Sequence, residues 1–269
     1  IGYSGYGSEF FEGTIDDVRI YSEALSASEI TNVYTSTTTP PIAADALGQW
    51  MLDETSGTSA ADATSSNFDG TLSGGLSFSN DSIAGQRGTA LDFDGTDDKI
   101  DLPDIDGTIT TALTVSAWIK PADASATYQG IAGTNTSGGF MTFVKNGQLS
   151  FVVNTSSGRE HFHKGTIVSN EWQHIACTYD GSNMKWYING SLIAVEAQTG
   201  TVEGKSAAYI GYSGYGSEYF NGGIDDVRIY DVALSASEIA AIYNNTTVTE
   251  ANLVSASSYS DDDGNWNDS

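Results

Sequence analysis

Apolar and polar residues alternate with a period of two through most of the chain. In the run 113–120, Leu113, Val115, Ala117 and Ile119 share one side, and Pro121 ends the pattern. Comparable runs occupy 49–52, 90–93, 99–102, 140–144, 149–153, 172–179, 184–188, 191–195, 208–211 and 224–230. Between them stand Asp94-Gly95, Asn146-Gly147, Asp180-Gly181 and Asn189-Gly190. Asn-Gly and Asp-Gly adopt the positive φ that tight hairpin turns require, so these runs predict antiparallel strands joined by short turns. Many short strands of this kind predict an all-β sandwich. One segment has a different period. Ser235-Ala236-Ser237-Glu238 forms a capping box, in which the Ser235 hydroxyl accepts a helix N–H and Glu238 reaches back to Ser235. Ile239, Ala240, Ile242 and Tyr243 continue it, predicting a short helix that covers a sheet edge or end.

The chain repeats itself once. Aligning residues 1–35 with 210–244, at an offset of 209, gives 26 identities in 35 positions. A period of that size fits a tandem array of whole domains. Segment 1–38 is therefore expected to close a preceding domain, and 47–245 to form a complete one. Residues 39–46, with Thr39-Pro40-Pro41, are expected to be a semi-rigid linker. Residues 246–269, ending in the acidic stretch 260–268, are expected to lead into a further domain. The chain opens on Ile1, and the expectation is a segment of a longer protein. Because the two closing segments are so alike, 1–38 is expected to allow self-association by strand exchange with 210–244.

Composition narrows the partners. The chain carries 35 acidic and 10 basic residues, a formal net charge of −25. Such a field repels phosphate backbones and anionic lipid, so neither nucleic acid nor membrane insertion is expected. Solubility in salty water and divalent-cation binding both account for a dense acidic surface. Cys177 is the single cysteine and sits in an apolar run, so it is read as a small buried hydrophobe.

The run Gly223-Ile224-Asp225-Asp226-Val227-Arg228-Ile229-Tyr230, followed by Ala233-Leu234-Ser235-Ala236-Ser237-Glu238-Ile239, resembles the closing signature of laminin-G-like domains of bacterial extracellular proteins. These belong to the concanavalin A-like superfamily. Gln49-Trp50-Met51-Leu52, Ala90-Leu91-Asp92-Phe93-Asp94-Gly95, Val115-Ser116-Ala117-Trp118 and Trp172-Gln173-His174-Ile175-Ala176 continue the resemblance in order across 47–245. It implies a jelly-roll sandwich of two curved antiparallel sheets with one short helix after the last core strand. It also implies one Ca²⁺ ion in many members, glycan binding, and a secreted or cell-surface location. The first loop departs from the family at Phe68, where a glycine is usual.

Calcium ligands are sought among Asp62, Asn67 and Asp69 of the oxygen-rich loop and in the pair Asp225–Asp226. Alternation puts Asp225 on the face of Val227 and Ile229, where a carboxylate needs a partner: calcium, Arg228, backbone N–H groups or water. Asp16 is its counterpart in the first copy. Saccharide contacts are sought at Tyr212, Tyr215 and Tyr219 in a Gly/Ser-rich segment, and at Asn135, Phe140, Arg159, His161 and His163. The alternative is that the tyrosines pack their own loop and the histidines are merely exposed. Trp118, Trp172 and Trp186 are read as core. His161 and His163 share a strand face but lack a third ligand for zinc. No Glu-x-Asp-x-x-Glu strand, His-Glu-x-x-His or Gly-x-Ser-x-Gly occurs, and no catalysis is expected. The expected function is a non-catalytic, calcium-stabilised carbohydrate-binding or adhesion module that meets a glycan or cell-surface polysaccharide. The alternative is a structural spacer in a tandem extracellular array.

Overall fold

The computed structural model describes residues 19–21, 46–105, 109–134, 138–204, 207–244 and 253–256. In chain order the strands are β1 (Arg19–Tyr21), β2 (Gly48–Trp50), β3 (Ser59–Ala60), β4 (Gly70–Ser73), β5 (Ser82–Ala84), β6 (Thr89–Asp94), β7 (Lys99–Leu102), β8 (Leu113–Pro121) and β9 (Gln129–Thr134). They continue as β10 (Phe140–Lys145), β11 (Gln148–Thr155), β12 (Gly158–Lys164), β13 (Gln173–Tyr179), β14 (Asn183–Ile188), β15 (Ser191–Ala197), β16 (Ala208–Ile210), β17 (Asn221–Tyr230) and β18 (Leu253–Ala256). A single turn of helix, α1 (Phe78–Asp81), follows β4, and α2 (Ala236–Asn244) follows β17.

The chain divides into two compact units, one of residues 42–245 and one of 1–41 with 246–269. In the latter, β1 pairs antiparallel with β18. The rest of segment 1–38, on which the expected self-association depends, lies outside the described residues, as does the tail 257–269. In the larger unit two antiparallel sheets stack. One runs β12-β11-β10-β9-β16-β7-β4-β3, and the other runs β15-β14-β13-β8-β17-β6-β5 with β2 also on β17. Trp50, Phe93, Ile100, Val115, Ile119, Phe140, Phe151, Ile175, Trp186, Ile210 and Ile224 belong to the single core between them. This is the all-β sandwich that the alternation predicts and the jelly roll that the resemblance implies, and each run named above lies wholly or partly on a strand.

The strands missed by periodicity are the short ones, the polar β12 and the wholly buried β9. In β9, Gln129-Gly130-Ile131-Ala132-Gly133-Thr134, all six residues are buried, so no polar face marks it. The helix also differs from expectation. Its capping box forms, with the Ser235 N–H donating to Glu238 Oε2 at 2.7 Å and the Glu238 N–H donating to Ser235 Oγ at 3.3 Å. It lies on a sheet face, however, and not at an edge. Ile239 and Ile242 are buried with Ala176, Tyr187 and Tyr230, because their i, i+3 spacing makes an apolar stripe that fits the outer side of β13, β14 and β17. The same cover explains Trp118, which is buried outside the sandwich core, with its ring 5.4 Å from that of His174 and 5.5 Å from that of Tyr243.

β17 is the pivot of its sheet. Along one side it pairs with β8; along the other it pairs with β6 through Asn221–Ile224 and with β2 through Val227–Ile229. Its register against β8 shifts between Asp225 and Arg228, and Asp226 has φ +44°. This bulge inserts a residue and breaks strict alternation. Ile224, Val227 and Ile229 all face the core, so Asp225 does not share their face as the sequence pattern predicts.

The two closing segments also differ at a tightly packed point. A Cβ added to Gly223 would lie 2.7 Å from the Trp172 ring and 3.1 Å from Ile83 Cδ1. The aligned residue of the first copy is Thr14. A threonine in this slot would press on the Trp172 ring. Gly223→Thr is expected to destabilise the domain by about 1–3 kcal/mol through overpacking. A thermal melt against the parent chain reads this, and an unchanged midpoint would show that Trp172 yields freely.

Candidate functional site

The oxygen-rich loop is held by its own backbone. The Asp62 carboxylate accepts hydrogen bonds from the N–H groups of Gln49 (2.9 Å), Thr64 (3.0 Å) and Phe68 (2.9 Å) and from Thr64 Oγ1 (2.9 Å). Burial pushes its pKa up, but these donors outweigh burial and hold it below the ordinary value. Asp69 Oδ1 accepts the Asp62 N–H at 2.8 Å. Asn67 turns the chain at φ +56° and donates through Nδ2 to the Ser65 carbonyl at 2.8 Å.

Gln49 connects this loop to the bulge, since its Nε2 donates to Asp226 Oδ1 at 3.0 Å. Asp226 is fully buried between two guanidinium groups. Arg228 Nε and Nη2 each lie 2.9 Å from its oxygens, and Arg87 Nε lies 3.1 Å from Oδ2. Arg87 also donates through Nη2 to the Ile242 carbonyl, tying the last turn of α2 to the cluster. Asp225 Oδ2 accepts the Gln86 and Arg87 N–H groups at 2.7 and 2.8 Å, while its buried Oδ1 has no hydrogen-bond partner.

The surroundings of Asp62 and Asp226 do not fit a calcium ion. The oxygens of Asp62 are filled by N–H and O–H donors, and Asp226 sits between positive charges that repel a cation. Of the partners considered for the closing strand, arginine serves Asp226 and backbone N–H groups serve one oxygen of Asp225. Among the described residues, the carboxylates that do converge are Asp94, Asp97 and Asp98, within 4.8 Å of one another in the β6–β7 turn. The turn itself accounts for that arrangement. Asp94 Oδ1 accepts the Thr96 N–H at 2.7 Å, and the Asp94 N–H donates to Asp98 Oδ2 at 3.0 Å.

The outer face of the β9–β12 region is different in kind. Alternation along β10 and β11 sends Phe140, Val144, Phe151 and Val153 into the sandwich core, and Met141, Phe143 and Val152 into a separate outer cluster capped by Tyr128. Phe140, 1% exposed, is therefore not a ligand contact, which corrects the sequence expectation. Both faces of β10 are apolar, so its pattern alone could not say which aromatic ring faced out. Over this outer floor lie His161 and His163 of β12, with ring centroids 4.3 Å apart and His161 4.9 Å from Phe143. Ser150 Oγ is 2.5 Å from His163 Nδ1, and Lys145 Nζ is 3.3 Å from His163 Nε2. A lysine ammonium has donors only, so His163 accepts at Nε2 and carries its proton on Nδ1, which donates to Ser150. Lys145 also stands over the Tyr128 ring at 4.6 Å.

Tyr128 continues this face into an open depression of about 460 Å³ lined by Thr127, Tyr128, Tyr215, Gly216, Ser217 and Glu218. Its far wall is a small hairpin in which Tyr212 bridges to Tyr219. That hairpin lies directly against Gly130 of β9, where any side chain would strike the backbone of Tyr212 and Ser213. Tyr212 and Tyr219 stack on each other at 4.4 Å, so each has one ring face occupied. Tyr215 is 66% exposed at the rim, and Ser213 Oγ donates to Glu218 Oε2 at 2.5 Å.

The structure thus gathers Tyr215, His161, His163 and Arg159 on one side of the sheet, diverts Phe140 to the core, and leaves Asn135 outside the described residues. It adds Tyr128, Lys145 and Glu218, which lie in a polar stretch, beside a hairpin turn and in the tyrosine-rich loop. The sequence signal available for them was only their nearness to residues already singled out.

A family profile described as the concanavalin A-like lectin/glucanases superfamily matches residues 94–240, more than half of the chain. The chain belongs to that superfamily. Over 112 residues it is 31% identical to an alpha-L-arabinofuranosidase of Bifidobacterium longum subsp. longum, covering 37% of this chain and 10% of that protein. Domain 4 of AbnA, a GH43 extracellular arabinanase from Geobacillus stearothermophilus solved with arabinotriose, superposes with TM-score 0.58 at 21% identity. That match covers 74% of this chain and 98% of the domain. The receptor-binding domain of botulinum neurotoxin C/D mosaic serotype gives TM-score 0.59 at 17% identity, covering 74% of this chain and 51% of that one. Both structural likenesses are of fold. No helix among the described residues is long and apolar enough to cross a membrane.

The unpartnered oxygen of Asp225 has a pH signature. Burial, countered by the Arg87 and Gln86 N–H groups and reinforced by Asp226 and Asp53, raises its pKa from 3.8 to about 6. The folded chain then binds this proton more tightly than the unfolded chain. Its contribution to stability grows as pH falls from 7 through 6 towards 4, and is lost as pH rises. Asn at this position keeps the acceptor for Gln86 and Arg87 without the charge. The melting temperature of Asp225→Asn relative to the parent is expected to be higher at pH 7.5 than at pH 5. Parallel pH profiles for the two chains would contradict the shift.

Proposed function

We propose that this domain is a non-catalytic saccharide-binding module of an extracellular protein, and that it binds through the outer face of β9–β12 and the adjoining tyrosine hairpin. The observation that carries the reading is the depression between Tyr128 and Tyr215 with Glu218 at its side. Saccharides present apolar C–H faces ringed by hydroxyl groups. They bind where flat aromatic rings stand beside fixed acceptors and donors. Glu218, steadied by Ser213, is an acceptor for sugar hydroxyls, and His163 and Lys145 extend the polar rim. The fold likeness to an arabinanase domain solved with arabinotriose supports a saccharide ligand. Adhesion to cell-surface polysaccharide is the corresponding role in a longer surface protein.

Tyr215→Ala and Tyr128→Ala are each expected to weaken saccharide binding about tenfold. Tyr215→Ala should leave the melting temperature unchanged, because that ring is mostly exposed. Titration calorimetry with arabino-oligosaccharides and a panel of other glycans measures this. A parent chain that binds nothing on the panel would instead favour a spacer in a tandem array.

Calcium stabilisation stands as a second proposal, supported by the family resemblance and by the −25 charge and not by the carboxylates named from sequence. Millimolar Ca²⁺ is expected to raise the melting temperature above that in chelator, as for any ligand that binds the folded state alone. Asp62→Asn should leave that increment intact, since Asp62 is occupied by protein donors. Identical melts with and without the ion would remove calcium from the description.

A further inference from the structure

The cations of the domain are unevenly used. Arg87 and Arg228 pair with Asp226, Lys99 with Asp101, Lys164 with Glu196 and Lys185 with Asp180. Lys145 and Arg159, besides Lys120 of β8, make no ion pair with any described residue, although the chain carries 35 acidic residues. Both lie at the same sheet face. Lys145 reaches His163, and Arg159 precedes His161 by two residues on β12, so the strand pleat puts it on the histidine side. Glu160 alternates to the other side of the strand.

The histidines report the local field independently. Burial, then His163, Lys145 and Arg159, push the pKa of His161 down to about 4. Burial and Lys145 push His163 down as well, and no carboxylate is among the causes for either. Glu218, a carboxylate on this surface, lies beyond Tyr128 and is held by Ser213. The face is thus a positive strip on a strongly negative molecule. In salt the Debye length is about 8–10 Å, so a ligand seated here responds to the strip more than to the distant acids.

We propose that this strip takes an acidic polysaccharide with carboxylate groups repeated along it, Lys145 and Arg159 each meeting a different one. The inference rests on the saccharide-binding reading and deepens it. The spacing points to a repeated anion. Arg159 and His163, at which Lys145 ends, are four residues apart on β12, about 14 Å at the rise of a strand. One terminal acid group cannot reach both. Arg159 offers a planar fork that suits a carboxylate, and Lys145 offers a point charge. Tyr128 and Tyr215 stack the neutral part of the chain, and Glu218 accepts from its hydroxyls.

Calorimetry on the full chain with trigalacturonate, monomeric galacturonate, a sulfated trisaccharide and arabinotriose tests this. The trimer is expected to bind at least tenfold tighter than arabinotriose or the monomer, and to weaken as salt is raised. Arg159→Gln and Lys145→Ala should each remove about tenfold from trigalacturonate, and Arg159→Gln should leave arabinotriose unchanged. Arg159 is exposed, so its variant folds whatever Lys145→Ala does. Equal binding of neutral and acidic trimers, or unaltered binding by both variants, overturns the acidic ligand while the saccharide reading stands. Preference for the sulfated sugar overturns the carboxylate assignment. Loss of all sugar binding by the parent removes both readings together.

Discussion

The buried charge cluster around Asp226 is the constraint on which the rest of the domain depends. It forms where β17 bulges, and its partners arrive from three directions. Arg228 comes from the same strand, Arg87 from the loop before β6, and Gln49 from β2. A carboxylate buried in this way is tolerable only when its oxygens are occupied, and removing one partner of such a cluster costs about 3–5 kcal/mol. The cluster therefore requires β2, β6 and the closing strand to be in place together. Gln49 passes the constraint to the oxygen-rich loop, and Arg87 passes it to the end of α2 through the Ile242 carbonyl.

That arrangement gives the acidic residues of the closing strand a structural task, and the proposed binding face lies on the opposite sheet. There the backbone supplies a flat floor, and Gly130 lets the tyrosine hairpin lie directly on β9. The floor is apolar, and burial against it is the first cause of the lowered pKa of both histidines. A rigid sheet with fixed rings loses little freedom on binding a long, flexible polymer.

The β-sandwich was legible because period-two alternation, Asn-Gly turns and a capping box each have a local physical cause. The site was only partly legible. Tyr215, Arg159, His161 and His163 stood out as unusual residue types in suitable places. Phe140 misled because β10 is apolar on both faces, and only the opposing sheet determines which ring is buried. Asp225 misled because a bulge at a non-glycine residue leaves no mark in the sequence. Lys145 was invisible as a partner of His163, and Tyr128 as a partner of Phe143, because these contacts are made across strand pairings that no local pattern encodes.

By itself, then, the sequence determined the alternation of faces, the places where the chain turns, the capped helix and the relation of residues 1–35 to 210–244. These follow from interactions between near neighbours in the chain. Tertiary structure alone decided which face of each strand was buried, that arginines and backbone N–H groups satisfy the closing carboxylates, and that two cations remain without acidic partners on one sheet. Those outcomes depend on groups far apart in sequence competing for the same partners, and that competition is settled only when the sheets close on each other.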